Sequence, residues 1–99
     1  MIDRMDVTVQ ENPDAHRYEA VDDEGTVAGF VEYVDHRDTR ILFHTEVADA
    51  FEGRGVGSTL AGEVLDQALG GDQAVRVTCP FLTSWVGRHP EYADKVKLG

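Results

Sequence analysis

Cysteine and long apolar runs are scarce in this sequence of 99 residues. Cys79 is the only cysteine, which excludes an internal disulfide and every metal motif built from several cysteines. A membrane-spanning helix needs about 20 apolar residues, and no apolar run here approaches that length. The amino terminus also lacks the apolar segment of a secretory signal peptide. We therefore expect a cytoplasmic protein with no membrane partner and no metal site.

Lysine is scarce as well, since Lys95 and Lys97 are the only two. With 19 acidic and 9 basic residues, the formal net charge is −10. Nucleic acids and anionic membranes bind clustered cations, so neither is an expected partner. The acidity fits either attraction of a cationic substrate, such as an amine, or a solvated surface suited to a high-salt environment. The acidic residues are scattered along the whole sequence, which favours the second interpretation.

The composition is that of a folded protein. A hydrophobic fraction of 41% predicts a globular chain rather than a disordered one. The length allows one domain, residues 1–99, with a single hydrophobic core. The sequence does not indicate an oligomeric state.

Five segments have the length and composition of β-strands. The first four are separated by short turns, so we expect an antiparallel meander. A helical pattern separates the fourth from the fifth, and a strand–helix–strand unit places its two strands side by side and parallel. The sequence therefore predicts an α/β (α+β) fold with a mixed sheet of about five strands and a C-terminal helix. The five segments are residues 5–10, 17–21, 26–34, 39–47 and 74–79.

Two helices are predicted. Apolar residues recur at helical spacing from Val56 to Leu69, and a pair of glycines follows as a C-terminal cap. Pro80 suits the first position of the second helix, residues 81–86. A turn at residues 90–93 and a frayed tail at residues 95–99 complete the prediction.

A glycine-rich turn leads into the first helix. Gly53, Gly55 and Gly57 stand at alternate positions, where the absence of a Cβ permits positive φ or the close approach of a ligand. The free N–H groups and the dipole of the following helix add to this turn, so we predict a site for a phosphate or pyrophosphate. Neither the lysine of a P-loop nor the GxGxxG order of a dinucleotide fingerprint is present.

Cys79 and His44 lie near the ends of the two strands predicted to be parallel neighbours. The carboxyl ends of such strands form a ligand crevice. A thiol just before a helix is a better nucleophile, His44 is a candidate base for it, and Glu46 shares a strand face with His44. The alternative interpretation is a buried cysteine, a core histidine and a strand-end carboxylate in water.

The turn resembles the acetyl-CoA motif of the GNAT superfamily of acetyltransferases, written Gln/Arg-x-x-Gly-x-Gly/Ala, with Glu52 at its first position. From about Tyr18 to Tyr92 the sequence is similar to the minimal, stand-alone branch of that superfamily. The resemblance implies an acetyl-CoA-dependent N-acetyltransferase that acts on an amine, with His44 and Cys79 as the active-site pair. It also implies that coenzyme A is bound by Glu46, Val47, Gly53, Arg54, Gly55, Val56, Gly57 and Ser58.

Alternatives remain open at this stage. Larger members of the superfamily insert helices after the first strand, whereas this sequence has only residues 11–14 there. The second hypothesis is therefore a non-catalytic CoA- or acyl-CoA-binding module that acts as a sensor or subunit. An enzyme has two routes: Cys79 takes the acetyl group, or the amine attacks directly while His44 accepts a proton. The segment from His89 to Tyr92 either closes the CoA channel or packs on the core, and we favour packing.

Overall fold

The computed structural model describes residues 6–99, which form a six-stranded sheet, three α-helices and two short 3₁₀-helices. The strands lie in the sheet in the order of the chain. The first strand was predicted to start at Met5, which lies outside the described residues; the strand itself runs from Thr8 to Asn12. The elements are β1 (Thr8–Asn12), β2 (Arg17–Val21), β3 (Val27–His36), β4 (Thr39–Val47), α1 (Val56–Leu69), β5 (Ala74–Val77), α2 (Pro80–Gly87), α3 (Pro90–Ala93) and β6 (Lys97–Leu98).

The predicted mixed sheet is confirmed. β1 to β4 pair as an antiparallel meander, and β4 pairs with β5 in parallel after the crossover through α1. The predicted fraying of the tail is wrong, because β6 adds a sixth strand parallel to β5 and Val96 beside it is buried. Without β6 this edge of β5 would expose unpaired backbone groups; β6 pairs with it, and the Gly99 N–H donates to the Val77 carbonyl at 3.0 Å.

The helix α1 covers one face of the sheet, as its periodicity predicts. Its apolar side chains pack against residues of β2, β3 and β4, including Tyr18, Val31 and Leu42, all of which are buried. Burial of this apolar stripe is the main favourable term for the fold. Across residues 6–99, no helix combines the length and apolar character needed to cross a membrane. The buried residues of α1 are Val56, Leu60, Ala61, Val64, Leu65 and Ala68.

A β-bulge in β4 decides which side chains lie under the helix. Glu32 of β3 pairs with His44, while the next residue pairs with Leu42, so Phe43 has no partner across the strands. The extra residue reverses the alternation of side chains along β4. Leu42 and Thr45 therefore point to the side covered by α1, which we call the helix face. His44 points to the opposite side of β2, β3 and β4, which we call the open face.

A charged and aromatic network fixes the start of β4. Arg40 donates two hydrogen bonds to Asp35, at 2.8 and 2.9 Å, and further bonds to Glu11 and to the Tyr18 hydroxyl. Its guanidinium lies 3.8 Å from the centre of the Tyr33 ring. Burial, and then the hydrogen bond to Glu11, raise the pKa of Tyr33, whereas the hydrogen bond from Arg40 lowers the pKa of Asp35. Each buried polar group of this network is thus paired.

Candidate active site

The strands β4 and β5 pair over only part of their length, which leaves a gap beside the end of β4. The ladder joins Thr39–Leu42 to β5, while β4 continues to Val47. The N–H groups of Thr78 and Cys79 both donate to the Leu42 carbonyl, at 3.0 and 3.3 Å, as the chain leaves the sheet. Beyond Leu42, the edge of β4 on this side has no neighbouring strand among the described residues. We call this opening the β4–β5 gap.

Thr45 and Val47 turn their backbone groups toward the β4–β5 gap. On the other side, the N–H of Ala48 donates to the Ala28 carbonyl of β3 at 2.9 Å. In an antiparallel ladder, hydrogen-bonded and non-bonded pairs alternate, so Glu46 shares the orientation of Ala48 and faces β3. Of the two strand residues predicted to bind coenzyme A through their backbone, Val47 faces the gap and Glu46 does not. The sequence reasoning missed Thr45.

The glycine turn lies next to this gap, at the start of α1. Gly53 and Gly55 have φ angles of 77° and 81°, the left-handed conformation that glycine adopts at little cost. A Cβ added at Gly53 would meet no atom within 4 Å, so the turn faces open space there. Val56 is buried, so only its backbone can serve a ligand, and Arg54 is half-buried between the two glycines.

Gly57 serves a different purpose from the other two glycines. It lies within α1 and has no positive φ, so of the two properties expected of these glycines only close approach applies at this position. A Cβ there would lie 3.1 Å from Phe81 Cζ and 3.7 Å from Val47 Cγ2, so glycine lets the ring approach the helix. Phe81 is 39% exposed, and its ring borders the β4–β5 gap near the end of β4 and the start of α1.

The start of α1 is suited to an anion. Its cap residue, Gly55, has no side chain to accept from the first N–H groups of the helix. The first hydrogen bond made inside this end runs from the Thr59 N–H to the Gly55 carbonyl, at 3.1 Å. The N–H groups of Val56, Gly57 and Ser58 precede it, and the positive end of the helix dipole lies there. Together with the open turn, this end fits a pyrophosphate.

A packed cluster holds the far side of this helix end. The Trp85 indole N–H donates to the Ser58 hydroxyl at 3.1 Å. The side chain of Ser58, a residue predicted to bind coenzyme A, therefore takes part in this packed cluster. His89 stacks on Trp85 with ring centres 3.7 Å apart, and the Tyr92 hydroxyl donates to Asp66 at 2.7 Å. Tyr92 packs against the core, which confirms the interpretation favoured for this segment. The hydrogen bond to Asp66 raises the pKa of Tyr92.

Cys79 lies on the helix face. Its thiol donates to the Thr45 hydroxyl at 3.2 Å, and the residue is 3% exposed. The N–H of Thr83 donates to the Cys79 carbonyl at 2.9 Å, so Cys79 caps α2 as predicted. The cysteine is therefore held in place between the end of β5 and the middle of β4.

His44 lies on the open face. Its Nε2 is 3.3 Å from Glu46 Oε1, and its ring centre is 6.2 Å from that of Phe30. A carboxylate only accepts hydrogen bonds, so in this contact Nε2 carries the proton and donates it to Glu46. In a neutral ring with this tautomer, Nδ1 is the nitrogen that accepts a proton. The predicted proximity of Glu46 and His44 is present in the structure.

The structure places His44 and Cys79 on opposite faces of β4. Cys79 reaches Thr45, and adjacent residues of a strand point to opposite sides. The bulge at Phe43 is the cause, because without it His44 would share the helix face with Leu42. The role of His44 and Cys79 as an active-site pair stays a prediction. Because their side chains lie on opposite faces of β4, this arrangement gives no direct contact between the thiol and the imidazole.

Two rows of side chains cross the open face and surround His44. The first row is Arg17, Glu32 and His44, and the second is Glu19, Phe30 and Glu46. Arg17 donates to Glu19 at 2.7 Å, and its guanidinium lies 4.4 Å from the centre of the Phe30 ring. Sequence reasoning missed Arg17, Glu19, Glu32 and Phe30; the alternation of polar and apolar residues along β2 and β3 is the signal that groups them.

Comparison with known proteins gives the same fold and a family. Residues 17–95 match the family model described as GCN5-related N-acetyl-transferase. The solution structure of a GCN5-like protein from Staphylococcus aureus superposes with a TM-score of 0.61, covering 94% of this chain and 88% of that one at 23% identity. At this identity the likeness shows a shared fold.

Protein NATD1 of three vertebrates is similar in sequence. The Xenopus tropicalis protein is 35% identical over 68 residues, which are 67% of this chain and 62% of that protein. The Bos taurus and Homo sapiens proteins are 37% and 35% identical, each over 57% of this chain and 51% of their own length. The matches thus span between about half and three-fifths of these relatives. Because the family model covers most of the sequence, this chain belongs to the GCN5-related N-acetyl-transferase family.

Proposed function

We propose that this protein transfers an acetyl group from acetyl-CoA to the nitrogen of an amine. The observation that carries the proposal is the juxtaposition of the β4–β5 gap with the glycine turn. The gap offers the backbone of Thr45 and Val47, and the turn offers the first N–H groups of α1. An elongated ligand with a pyrophosphate at one end and an amide-bearing arm at the other complements this pair of features. Membership of the family supports the same donor.

The residues that would hold coenzyme A follow from this placement. The backbone of Gly53 to Ser58 binds the pyrophosphate, and the edge of Val47 and Thr45 pairs with the amide groups of the pantetheine arm. Phe81 is the apolar wall beside that arm, since its ring packs against Gly57 and Val47. When bound, the donor supplies a thioester whose carbonyl carbon accepts the amine.

His44 is the proton acceptor in this proposal. The amine arrives as an ammonium on the open face, and His44 Nδ1 accepts one proton from it. The neutral nitrogen then forms a bond to the carbonyl carbon as the carbon–sulfur bond breaks. The second nitrogen proton ends on the CoA sulfur, so an ammonium and a thioester give an amide, a thiol and one released proton. Cys79 takes no acetyl group in this route, because its thiol faces Thr45 on the helix side.

The test combines calorimetry, turnover and mass spectrometry. Wild-type protein should bind CoA, and release of the CoA thiol from acetyl-CoA should depend on added amine. Gly55→Val should weaken binding, because a β-branched residue is strained at φ 81° and displaces the cradle. Gly87→Ala is the matched control, since a Cβ there meets no atom within 4 Å. Circular dichroism of both variants confirms that they are folded.

The chemistry has its own variants. His44→Gln should lower turnover by about 10²–10⁴-fold, the usual effect of removing a general base, with CoA affinity unchanged. His36→Gln is the control, because His36 is an exposed histidine at the far end of β3. Acetyl on Cys79 after incubation with acetyl-CoA would replace the direct route by a covalent one. Binding of CoA without acetylation of any amine would make the protein a CoA-binding module.

A further inference from the structure

A small depression opens on the open face, and one of its lining residues, Glu46, contacts His44. Its volume is about 100 Å³, and its walls carry charges of opposite sign, Arg17 on one side and Glu46 on the other. Pockets for drug-sized ligands measure about 300–1,000 Å³, so this one is suited to a compact ligand. Its lining residues are Arg17, Val27, Ala28, Gly29, Phe30, Glu46 and Ala48.

Arg17 is held in place before any ligand arrives. Its Nε donates to Glu19, which is 7% exposed and also accepts from Asn12 at 3.2 Å. The guanidinium lies over the Phe30 ring, 4.4 Å from its centre, within the range of a cation–π contact. The bond to Glu19 uses Nε, whereas the two Nη groups form the fork that binds carboxylates in pairs. A fixed guanidinium at the wall of a cavity is typical of a site for an anionic group.

The opposite wall suits a cation. Glu46 is 60% exposed at its side chain and contacts His44, the group to which the proposed reaction assigns the amine proton. Glu32 lies between Arg17 and His44 in the neighbouring row, paired with both, so Glu46 is the carboxylate that distinguishes this wall. An ammonium is therefore favoured beside Glu46 and His44, and a carboxylate beside Arg17.

We infer that this depression binds the acceptor and that the acceptor is a small amino acid, its ammonium next to Glu46 and its carboxylate next to Arg17. The inference rests on the proposed acetyl transfer for its chemistry, but the binding itself needs no acetyl-CoA. The two charges orient the ligand, so that the nitrogen lies on the His44 side and the carboxylate lies away from the reacting atoms. An amine without a carboxylate lacks the second contact.

The experiment is a titration of the ¹⁵N-labelled full chain, without CoA, followed by backbone amide shifts. The probes are L-alanine, ethylamine and propionate, which carry both charges, the ammonium alone and the carboxylate alone. We expect L-alanine to shift the amides of Ala28, Gly29 and Phe30 at a concentration about tenfold lower than either other probe, the ratio for one additional ionic contact of about 1.4 kcal/mol. Equal effects of the three probes, or shifts elsewhere only, would overturn the inference.

Variants assign the two ends of the ligand. Arg17→Gln should remove the preference for L-alanine over ethylamine, and Glu46→Gln should remove the preference over propionate. Because Arg17→Gln leaves the buried Glu19 without its ion pair, the double variant with Glu19→Gln provides a second form of the same test. Arg88→Gln is the control, since Arg88 bonds Ser84 on α2. Retention of the preference in the folded single or double variant would contradict the role of Arg17.

The outcome for binding is separate from the outcome for turnover. Shifts by L-alanine with no acetylated product in the presence of acetyl-CoA would leave the binding site intact and overturn the proposed transfer. Acetylation of ethylamine at the rate of L-alanine, with no binding in the depression, would support the transfer and overturn the amino acid as acceptor.

Discussion

Gly29→Ala is expected to destabilise the protein, because β4 leaves no room for a methyl group on β3. A Cβ added at Gly29 would lie 2.8 Å from the Glu46 carbonyl oxygen and 3.4 Å from two atoms of Val47. The nearest atom belongs to the backbone, which the pairing of Phe30 with Glu46 holds in place. The strands must therefore move apart, since no side chain can turn aside to make room.

The magnitude follows from two opposing terms. Overpacking a close-packed region typically costs about 1–3 kcal/mol. Alanine also restricts the unfolded chain more than glycine does, which returns about 0.4–1 kcal/mol. We expect a net loss of about 0.5–2 kcal/mol in the free energy of unfolding. The same displacement shifts the backbone of Glu46, whose side chain contacts His44.

Urea unfolding followed by Trp85 fluorescence measures this loss, because Trp85 is the only tryptophan and is 5% exposed. Gly57→Ala is a matched control: its Cβ would lie 3.1 Å from the tip of the Phe81 ring, which is partly exposed and can turn away. Alanine also gains up to about 1 kcal/mol over glycine inside a helix. If Gly29→Ala unfolds at the same urea concentration as the wild type, the close contact between β3 and β4 is not as described.

Three further outcomes are expected. The pKa of Tyr33 is raised by burial and by Glu11, so the contribution of Tyr33 to stability is present below the unfolded tyrosine pKa of about 10 and falls as the pH rises above that value. Urea unfolding at pH 9 and 11 should show this fall in the free energy of unfolding, and Tyr33→Phe should make the fall smaller. Arg40→Gln should lower the free energy of unfolding by about 1.5–3 kcal/mol at pH 7. The loss should be smaller at pH 3, because the lowered pKa of Asp35 gives stability that disappears as the pH falls below about 3.9. Equal losses at pH 7 and pH 3 would refute this explanation. Cys79, at 3% exposure, should react with iodoacetamide slowly in native buffer and faster as urea is added, whereas rapid native labelling would contradict its burial.

Local patterns predicted most of the secondary structure. The bounds predicted for the second strand, the fourth strand and the first helix are those of β2, β4 and α1. Such elements follow from two-residue and 3.6-residue periodicity between glycine and proline positions, which neighbouring residues determine. The helix-initiating role of Pro80 is confirmed for the same reason.

The tail shows what local patterns cannot predict. Residues 95–99 have no strong strand signal, and their order comes from the edge of β5, which is distant in sequence. Arg76 of β5 donates to the carbonyl of Gly99 at 3.0 Å, which adds a side-chain contact to the pairing. A two-residue strand of this kind forms only because the partner strand is already in place.

The site divides in the same way. By itself, the sequence determined the glycine turn, the amphipathic helix after it and the two parallel strands that precede and follow that helix. It also placed His44 and Cys79 near the ends of those two strands. Each of these features rests on short-range spacing. Only the tertiary structure decided that Phe43 bulges out of the ladder, which turns His44 to the open face and puts Thr45 against the Cys79 thiol. A bulge depends on how two strands pair, and a shift of one residue exchanges the faces of every side chain beyond it.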